Sequence, residues 1–266
     1  MEGDQRHNNI LYSCTYTIQK STESIVPEHV LAYLITGSIE IYTAVGIKKF
    51  LPGSVGIIRK NYLARATKYP SADGRPNETI NIFLPQNILY KYALEKGIKE
   101  QPKYFGDDMI DLSDNDFIKG YFQSLRPYFS NTKGINDALA ELKTKEAIEL
   151  LLQYQSDLQT FLFDFSEPFK LDLEQYMVQN YIFNIPIKEF ARLTGRSLST
   201  FKRDFKRIFE NTPEKWLRNK RLEKAHYLIT IEKLKPSDVY LQVGFENFSH
   251  FSTSFKEQFG YSASSL

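Results

Sequence analysis

The stretch Ser199-Thr-Phe-Lys-Arg-Asp-Phe-Lys-Arg-Ile-Phe carries paired cations one helical turn apart. Lys202 and Arg203 are followed four residues later by Lys206 and Arg207, while Phe201, Phe205 and Phe209 keep the same spacing. On a helix the phenylalanines form one apolar stripe, which turns the cations to the sides and to solvent. Such a face suits the major groove of duplex DNA, where a guanidinium or ammonium reads guanine O6 and N7 or neutralises phosphate. An ordinary solvated face would use the same residues, so the row alone decides nothing.

The surroundings of that row recur. Pro186 and Pro236, Phe201 and Phe251, Phe205 and Phe255, Lys206 and Lys256, and Phe209 and Phe259 match at an offset of fifty, with Ser199 and Ser249 in register. A period of that length marks a duplicated supersecondary unit, and two copies make a pair rather than a solenoid. In each copy a proline opens a short helix, a glycine (Gly195 or Gly244) ends it, and a second helix follows. That is a helix-turn-helix, present twice.

The helices that must position the row are legible around it. Asp172 is placed to cap a helix running through Ile182, and Ser197 or Ser199 to cap the basic helix. Pro213 opens a longer helix to about Ile229 that joins the two units, with Lys215, Arg218, Lys220, Arg221 and Lys224 beside Trp216, Leu217, Leu222, Ala225 and Leu228. The second reader, Phe248-Ser-His-Phe-Ser-Thr-Ser-Phe-Lys, is less basic. Ser249, His250 and Thr253 are its candidates for base edges and Lys256 for phosphate, with capping and solvation as the alternative.

Charge follows the same division. Residues 1–169 hold 18 Lys/Arg against 21 Asp/Glu, whereas residues 170–266 hold 16 against 11, so an anionic partner is expected for the C-terminal part. Cys14 is the one cysteine, which excludes an intrachain disulfide and fits a reducing compartment. With no signal-peptide core and no apolar run of spanning length, a cytoplasmic protein is expected, with no membrane partner.

The N-terminal part has another texture. From Val30 to Leu84, short β-branched and aromatic runs alternate with Gly37, Gly46 and Pro52-Gly53, the pattern of an antiparallel barrel or sandwich, with a loop over Lys68–Pro76. Beyond Pro85 the spacing becomes helical. A short helix is expected around Phe117–Leu125 and a long one over Asn136–Phe165, whose Leu139, Leu142, Leu150 and Leu158 form a candidate dimer seam. The alternative is that this stripe packs on its own subunit. Ser166-Glu167-Pro168 is the expected linker. Tyr33, Tyr42, Phe50 and Phe83 either line a ligand cavity or fill a core.

Catalytic chemistry has few candidates. Only His7 and His29 precede residue 226, far from a metal-ligand spacing, and no phosphate loop or Ser/His/Asp or Cys/His arrangement is present. No enzyme, cofactor or metal is expected.

The C-terminal hundred residues resemble the DNA-binding domain of AraC/XylS-type transcription regulators. The resemblance rests on Ile187-Lys-Glu-Phe-Ala-Arg-Leu-Thr-Gly, Ser199–Phe209, the helix after Pro213, and Val243-Gly-Phe-Glu-Asn-Phe-Ser-His-Phe-Ser-Thr-Ser-Phe-Lys with Phe259-Gly260. It implies a seven-helix domain that places two recognition helices, about 197–209 and 247–259, in successive major grooves. By alignment Ser199, Lys202 and Arg203 fall at base-reading positions, as do Ser249, His250 and Thr253. Ala263 stands where the family usually has proline.

The N-terminal part resembles, less specifically, the cupin-like regulatory domain of such regulators. The expectation is an α+β chain: a cupin-like antiparallel barrel with dimerisation helices over 1–167, and an all-α DNA-binding domain with two helix-turn-helix motifs over 168–266. The implied function is a sequence-specific regulator, an activator, that binds double-stranded promoter DNA, touches RNA polymerase and forms a homodimer. Its N-terminal domain would receive a signal from a small-molecule effector or a regulatory protein. The rival readings make that domain a docking site for a regulatory protein or a cupin enzyme tethered to DNA.

Overall fold

The computed structural model describes residues 3–21, 25–43, 46–99, 101–130, 134–155, 157–165 and 171–266. The chain divides into two compact units, Met1–Ser166 and Glu167–Leu266. The expected linker around Ser166-Glu167-Pro168 lies outside the described residues.

The first unit is built on two antiparallel sheets. Its strands are β1 (Gly3–His7), β2 (Ile10–Thr15), β3 (Gln19–Lys20), β4 (His29–Thr36), β5 (Ser38–Thr43), β6 (Gly46–Phe50), β7 (Val55–Ile58), β8 (Arg65–Tyr69), β9 (Asn77–Leu84) and β10 (Met109–Asp111). One sheet has the order β1-β2-β9-β4-β7-β10 and the other β3-β8-β5-β6. The expected antiparallel β half is therefore present. It begins earlier than Val30, because β1 and β2 precede it, and β8 takes in Lys68 and Tyr69 from the expected loop.

Register shows why β9 sits mid-sheet. Ile82 faces Leu31 on one side and Ile10 on the other, and all three are fully buried. Each such side chain contributes about 1.5–3 kcal/mol by leaving water. Gly37 carries the chain from β4 in one sheet to β5 in the other, at φ +81°. A Cβ there would lie 2.5 Å from the Tyr69 carbonyl oxygen and 2.9 Å from Asn77 Cα, so only glycine fits.

Helices α1 (Gln86–Lys96), α2 (Asp116–Ser130), α3 (Asp137–Tyr154) and α4 (Asp157–Phe163) complete the unit. The single long helix expected over Asn136–Phe165 is instead α3 and α4, because Gln155 is extended at φ −151°, ψ 128°. The Asn136 side chain accepts from the Leu139 N–H and starts α3. The buried stripe of α3 is Ala140, Thr144, Ala147, Ile148 and Leu151, packed into the core of its own unit. Leu158 is fully buried there too, which removes it from any seam between subunits. Leu139 and Leu150 pack partly against the same core, and Leu142 is 63% exposed.

His29 is structural. Its ring is fully buried 5.1 Å from Phe161, Nδ1 accepts from the Lys60 backbone N–H, and Nε2 has no hydrogen-bond partner among the described residues. Tyr33 and Phe50 line a cavity of about 60 Å³ with residues of both sheets. The Tyr42 hydroxyl donates instead to Glu40, and Phe83 lies under the Arg6 guanidinium.

The second unit is helical: α5 (Leu173–Asn180), α6 (Ile187–Leu193), α7 (Leu198–Phe209), α8 (Pro213–Thr230), α9 (Pro236–Gln242), α10 (Phe248–Phe259) and a closing 3-10 turn, Ala263–Ser265. Ala263 is buried within that turn. No helix among the described residues is long and apolar enough to cross a membrane, and no group of three or more His, Cys, Asp or Glu among them is placed to hold a metal.

Candidate nucleic-acid interface

The two helix-turn-helix halves of the second unit are built alike, and α8 belongs to both. On α7 the rings of Phe201, Phe205 and Phe209 stack in sequence, with Phe205–Phe209 centroids 4.4 Å apart, and Trp216 of α8 packs 4.6 Å from Phe209. On α10 the rings of Phe251, Phe255 and Phe259 do the same, and His226 of α8 packs 4.7 Å from Phe259. The His226 Nε2 and the Tyr261 hydroxyl are hydrogen-bonded at 2.7 Å, which fastens the chain beyond α10 to α8. Phe201, Phe205, Phe251 and Phe255 are fully buried, so the aromatic repeat is core in both copies.

Local chemistry sets where each reader begins. Ser197 caps α7 by accepting from the Thr200 N–H, and its hydroxyl lies 3.1 Å from that of Ser199. On α10 the cap is Asn247, which accepts from the His250 N–H, so the capping alternative for Ser249 does not apply. Thr212 caps α8 just before Pro213. The Asp172 cap on α5 is also formed, and the turns contain Gly195 and Gly244 at positive φ.

With the phenylalanines inward, the opposite faces are open. Ser199, Lys202, Arg203, Lys206 and Arg207 on α7 are exposed, as are Ser249, His250, Thr253 and Lys256 on α10. The Arg203 side chain is 76% exposed and makes a 3.7 Å ion pair with Asp204, while Lys202 lies 3.8 Å from Glu214. Pairs this open hold their cations weakly, for about 0–1 kcal/mol. The structure thus brings five candidate residues together on one helix and four on the other. Between the two helix-turn-helix halves runs a groove of about 730 Å³ whose lining includes Pro186, Lys215, Arg218, Arg221, Asn247 and His250.

Three residues that position these faces, Arg196, Asp204 and Arg221, escape a reading by charge pattern. Arg196 and Asp204 pair at 3.3 Å with both side chains nearly buried, and Arg196 also donates to the Leu171 and Thr194 carbonyls. Arg221, which the sequence groups with Lys215, Arg218, Lys220 and Lys224 of α8, is partly buried and donates to the Tyr181, Phe183 and Gly244 carbonyls and to Asn184. The signal that finds Asp204 and Arg221 is a charge lying on an apolar stripe. Asp204 falls between Phe201 and Phe205, and Arg221 sits four residues from both Leu217 and Ala225. A charged group in such a place survives only with partners.

The two units match known families separately. Residues 190–266 match the family model of a helix-turn-helix domain, and residues 29–163, just over half of the chain, match that of the ExsA N-terminal regulatory domain. The chain belongs to the AraC/XylS family of transcription regulators. Among curated relatives, this AraC/XylS chain is 32% identical over 88 residues to the virulence regulon transcriptional activator VirF of Yersinia enterocolitica, covering 33% of this chain and 32% of the relative. It is 28% identical over 88 residues to the HTH-type transcriptional regulator ExsA of Pseudomonas aeruginosa, with the same coverage. The match therefore spans about a third of the length of these relatives. Among solved structures, an apo single-residue variant of ToxT from Vibrio cholerae is similar with a TM-score of 0.46 at 10% identity, covering 98% of this chain and 97% of that one.

Proposed function

We propose that the chain is a sequence-specific DNA-binding transcription regulator and that it activates transcription from the promoters it binds. The observation that carries this reading is the open face of α7 and α10, two equivalent helices on a shared scaffold whose outward residues are exposed. Helix α7 reads bases with Ser199, Lys202 and Arg203 and grips phosphate with Lys206 and Arg207. Helix α10 reads with Ser249, His250 and Thr253 and uses Lys256 for phosphate. VirF is named a transcriptional activator, and the chain is 32% identical to it over 88 residues, which supports the same direction of regulation here.

Selection from a random duplex library with the purified chain, followed by footprinting of the enriched sequence, tests the proposal. Two protected blocks in neighbouring major grooves on one DNA face are expected. Enrichment of no sequence, or protection of a single block, sinks it.

The first unit serves regulation and self-association. Leu142 on α3, exposed and flanked by the partly buried Leu139 and Leu150, supports a seam between two copies. Sedimentation of the full chain should show a dimer that Leu142→Glu shifts to monomer; a wild-type chain that stays monomeric at high concentration removes this part. RNA polymerase is the expected partner of the bound regulator, and activity of promoter fragments with purified polymerase checks it. The signal is a small-molecule effector or a regulatory protein; the cavity that Tyr33 and Phe50 line, about 60 Å³, is below the roughly 300–1,000 Å³ of small-molecule sites, whereas the one between Asp116 and Tyr154, about 410 Å³, is within it.

A further inference from the structure

We infer that Arg221 is a positioning residue that fixes the spacing at which the two recognition helices read DNA. The inference rests on the DNA-binding proposal and concerns a residue that touches no base in it.

The geometry is that of a clamp between the two helix-turn-helix halves. Arg221 lies in α8, the helix common to both. Its Nε donates to the Tyr181 carbonyl at 2.7 Å and its Nη2 to the Phe183 carbonyl at 2.8 Å. Its Nη1 donates to Asn184 Oδ1 and to the Gly244 carbonyl, each at 3.2 Å. The first three acceptors lie in the segment leading into the first half's α6. The fourth is the turn glycine of the second half, four residues before α10. One planar guanidinium therefore joins the entry of one half to the turn of the other.

Two further contacts tighten the joint. The Asn184 side chain donates to Glu246 at 2.7 Å, adding a second bridge between the same two segments. Gly244 packs so closely that a Cβ would lie 2.5 Å from the Ile182 carbonyl oxygen and 3.0 Å from Arg221 Nε. The second half's turn thus rests backbone on backbone against the first half's lead-in. Because the direction of α10 follows from that turn, Arg221 sets the angle between α10 and α7.

On DNA this angle becomes a spacing requirement. One extra base pair between half-sites moves the second by about 3.4 Å and rotates it by about 35°, since a turn takes 10–10.5 base pairs over 34–36 Å. A rigid pair of readers cannot follow that rotation, whereas a loosened pair can. Lysine at this position keeps the charge but lacks the planar fork that meets four acceptors at once. Arg221→Lys should therefore relax spacing while leaving the sequence preference within each block intact.

The experiment uses the full chain and the two-block sequence it selects. Wild type is expected to lose roughly tenfold or more in affinity when one base pair is inserted between the blocks, comparable to a mismatch in the site. For Arg221→Lys the same insertion should cost less than about threefold, with base preferences in the α7 block and the salt slope unchanged. A variant that merely folds poorly would instead lose affinity on both spacings alike. If Arg221→Lys does not fold, Asn184→Ala removes the second bridge, and its insertion penalty should fall below that of wild type. A wild-type penalty in whichever folded variant is measured overturns the assignment to Arg221. Failure of the wild-type chain to select any DNA overturns the DNA-binding proposal itself, and this inference with it.

Discussion

Arg196 and Asp204 form an ion pair, Nε to Oδ2 at 3.3 Å, with side chains only 6% and 7% exposed, and it ties the turn of the first helix-turn-helix to its recognition helix. Fifty residues on, the matching positions hold Glu246 and Ser254, which cannot form it. The duplicated halves share a core but not this clamp. Removing one partner leaves a charge that has lost both its water and its counter-ion, which costs about 3–5 kcal/mol. Asp204→Ala should destabilise the second unit of the chain by that amount in urea unfolding at neutral pH. Ser254→Ala, which deletes only a buried hydroxyl, should cost about 1 kcal/mol or less.

Arg203 should carry sequence discrimination. Its side chain is 76% exposed, and among the described residues its ion pair is the 3.7 Å one with Asp204. Arg203→Ala should reduce discrimination at one base pair by about 1–3 kcal/mol, read by comparing affinities for single-base variants of the selected site. Equal loss on every variant would mean that Arg203 contacts phosphate.

Lys206 is expected to act on phosphate. Lys206→Ala should weaken binding to all sequences alike and lower the slope of log affinity against log salt by about one. If neither Arg203 nor Lys206 changes binding, the orientation assigned to α7 is wrong.

His29 makes the first unit sensitive to acid. Burial pushes its pKa down from the usual 6.5 to about 3; the nearby Lys60 and Arg59 cations push the same way, and Asp164 opposes them. The unfolded chain therefore takes up a proton that the folded chain refuses. Stability is complete above about pH 6.5 and declines as the pH falls towards 3, by about 1.4 kcal/mol per pH unit within that window. Urea midpoints measured from pH 7.5 to 4.5 should fall more steeply for wild type than for His29→Phe, which also preserves the ring packing on Phe161. Parallel curves would show that His29 is not the acid-sensitive group.

Much of the second unit was legible because its signals are local. Asp172, Ser197 and Pro213 mark helix starts by chemistry within one turn, and two phenylalanine stripes at one offset declare a repeated core. The clamps were not legible by charge counting, since nothing in the composition separates Arg221 from Lys220 or Lys224. Only its place on the apolar stripe of α8 does. In the first unit, β1 is an edge strand with mostly exposed residues, so it lacks the alternation by which a strand is found. The division of α3 from α4 was hidden for the opposite reason. Leu151, Tyr154 and Leu158 keep helical spacing across a break at which Gln155 is extended.

Gly37 sets a limit on how this protein can vary. The passage from β4 to β5 brings the chain against the Tyr69 carbonyl and Asn77, two points fixed by other strands of two different sheets. Any side chain there would require both to retreat together, and a left-handed φ adds its own penalty. A library randomised at this codon and sorted for folded protein should return glycine almost alone. Lys48 and Lys49, on the exposed edge strand β6, should accept most polar residues. Divergent copies of this chain can thus rewrite the rim of the sheet, but at the crossing between sheets their freedom ends at a missing methyl group.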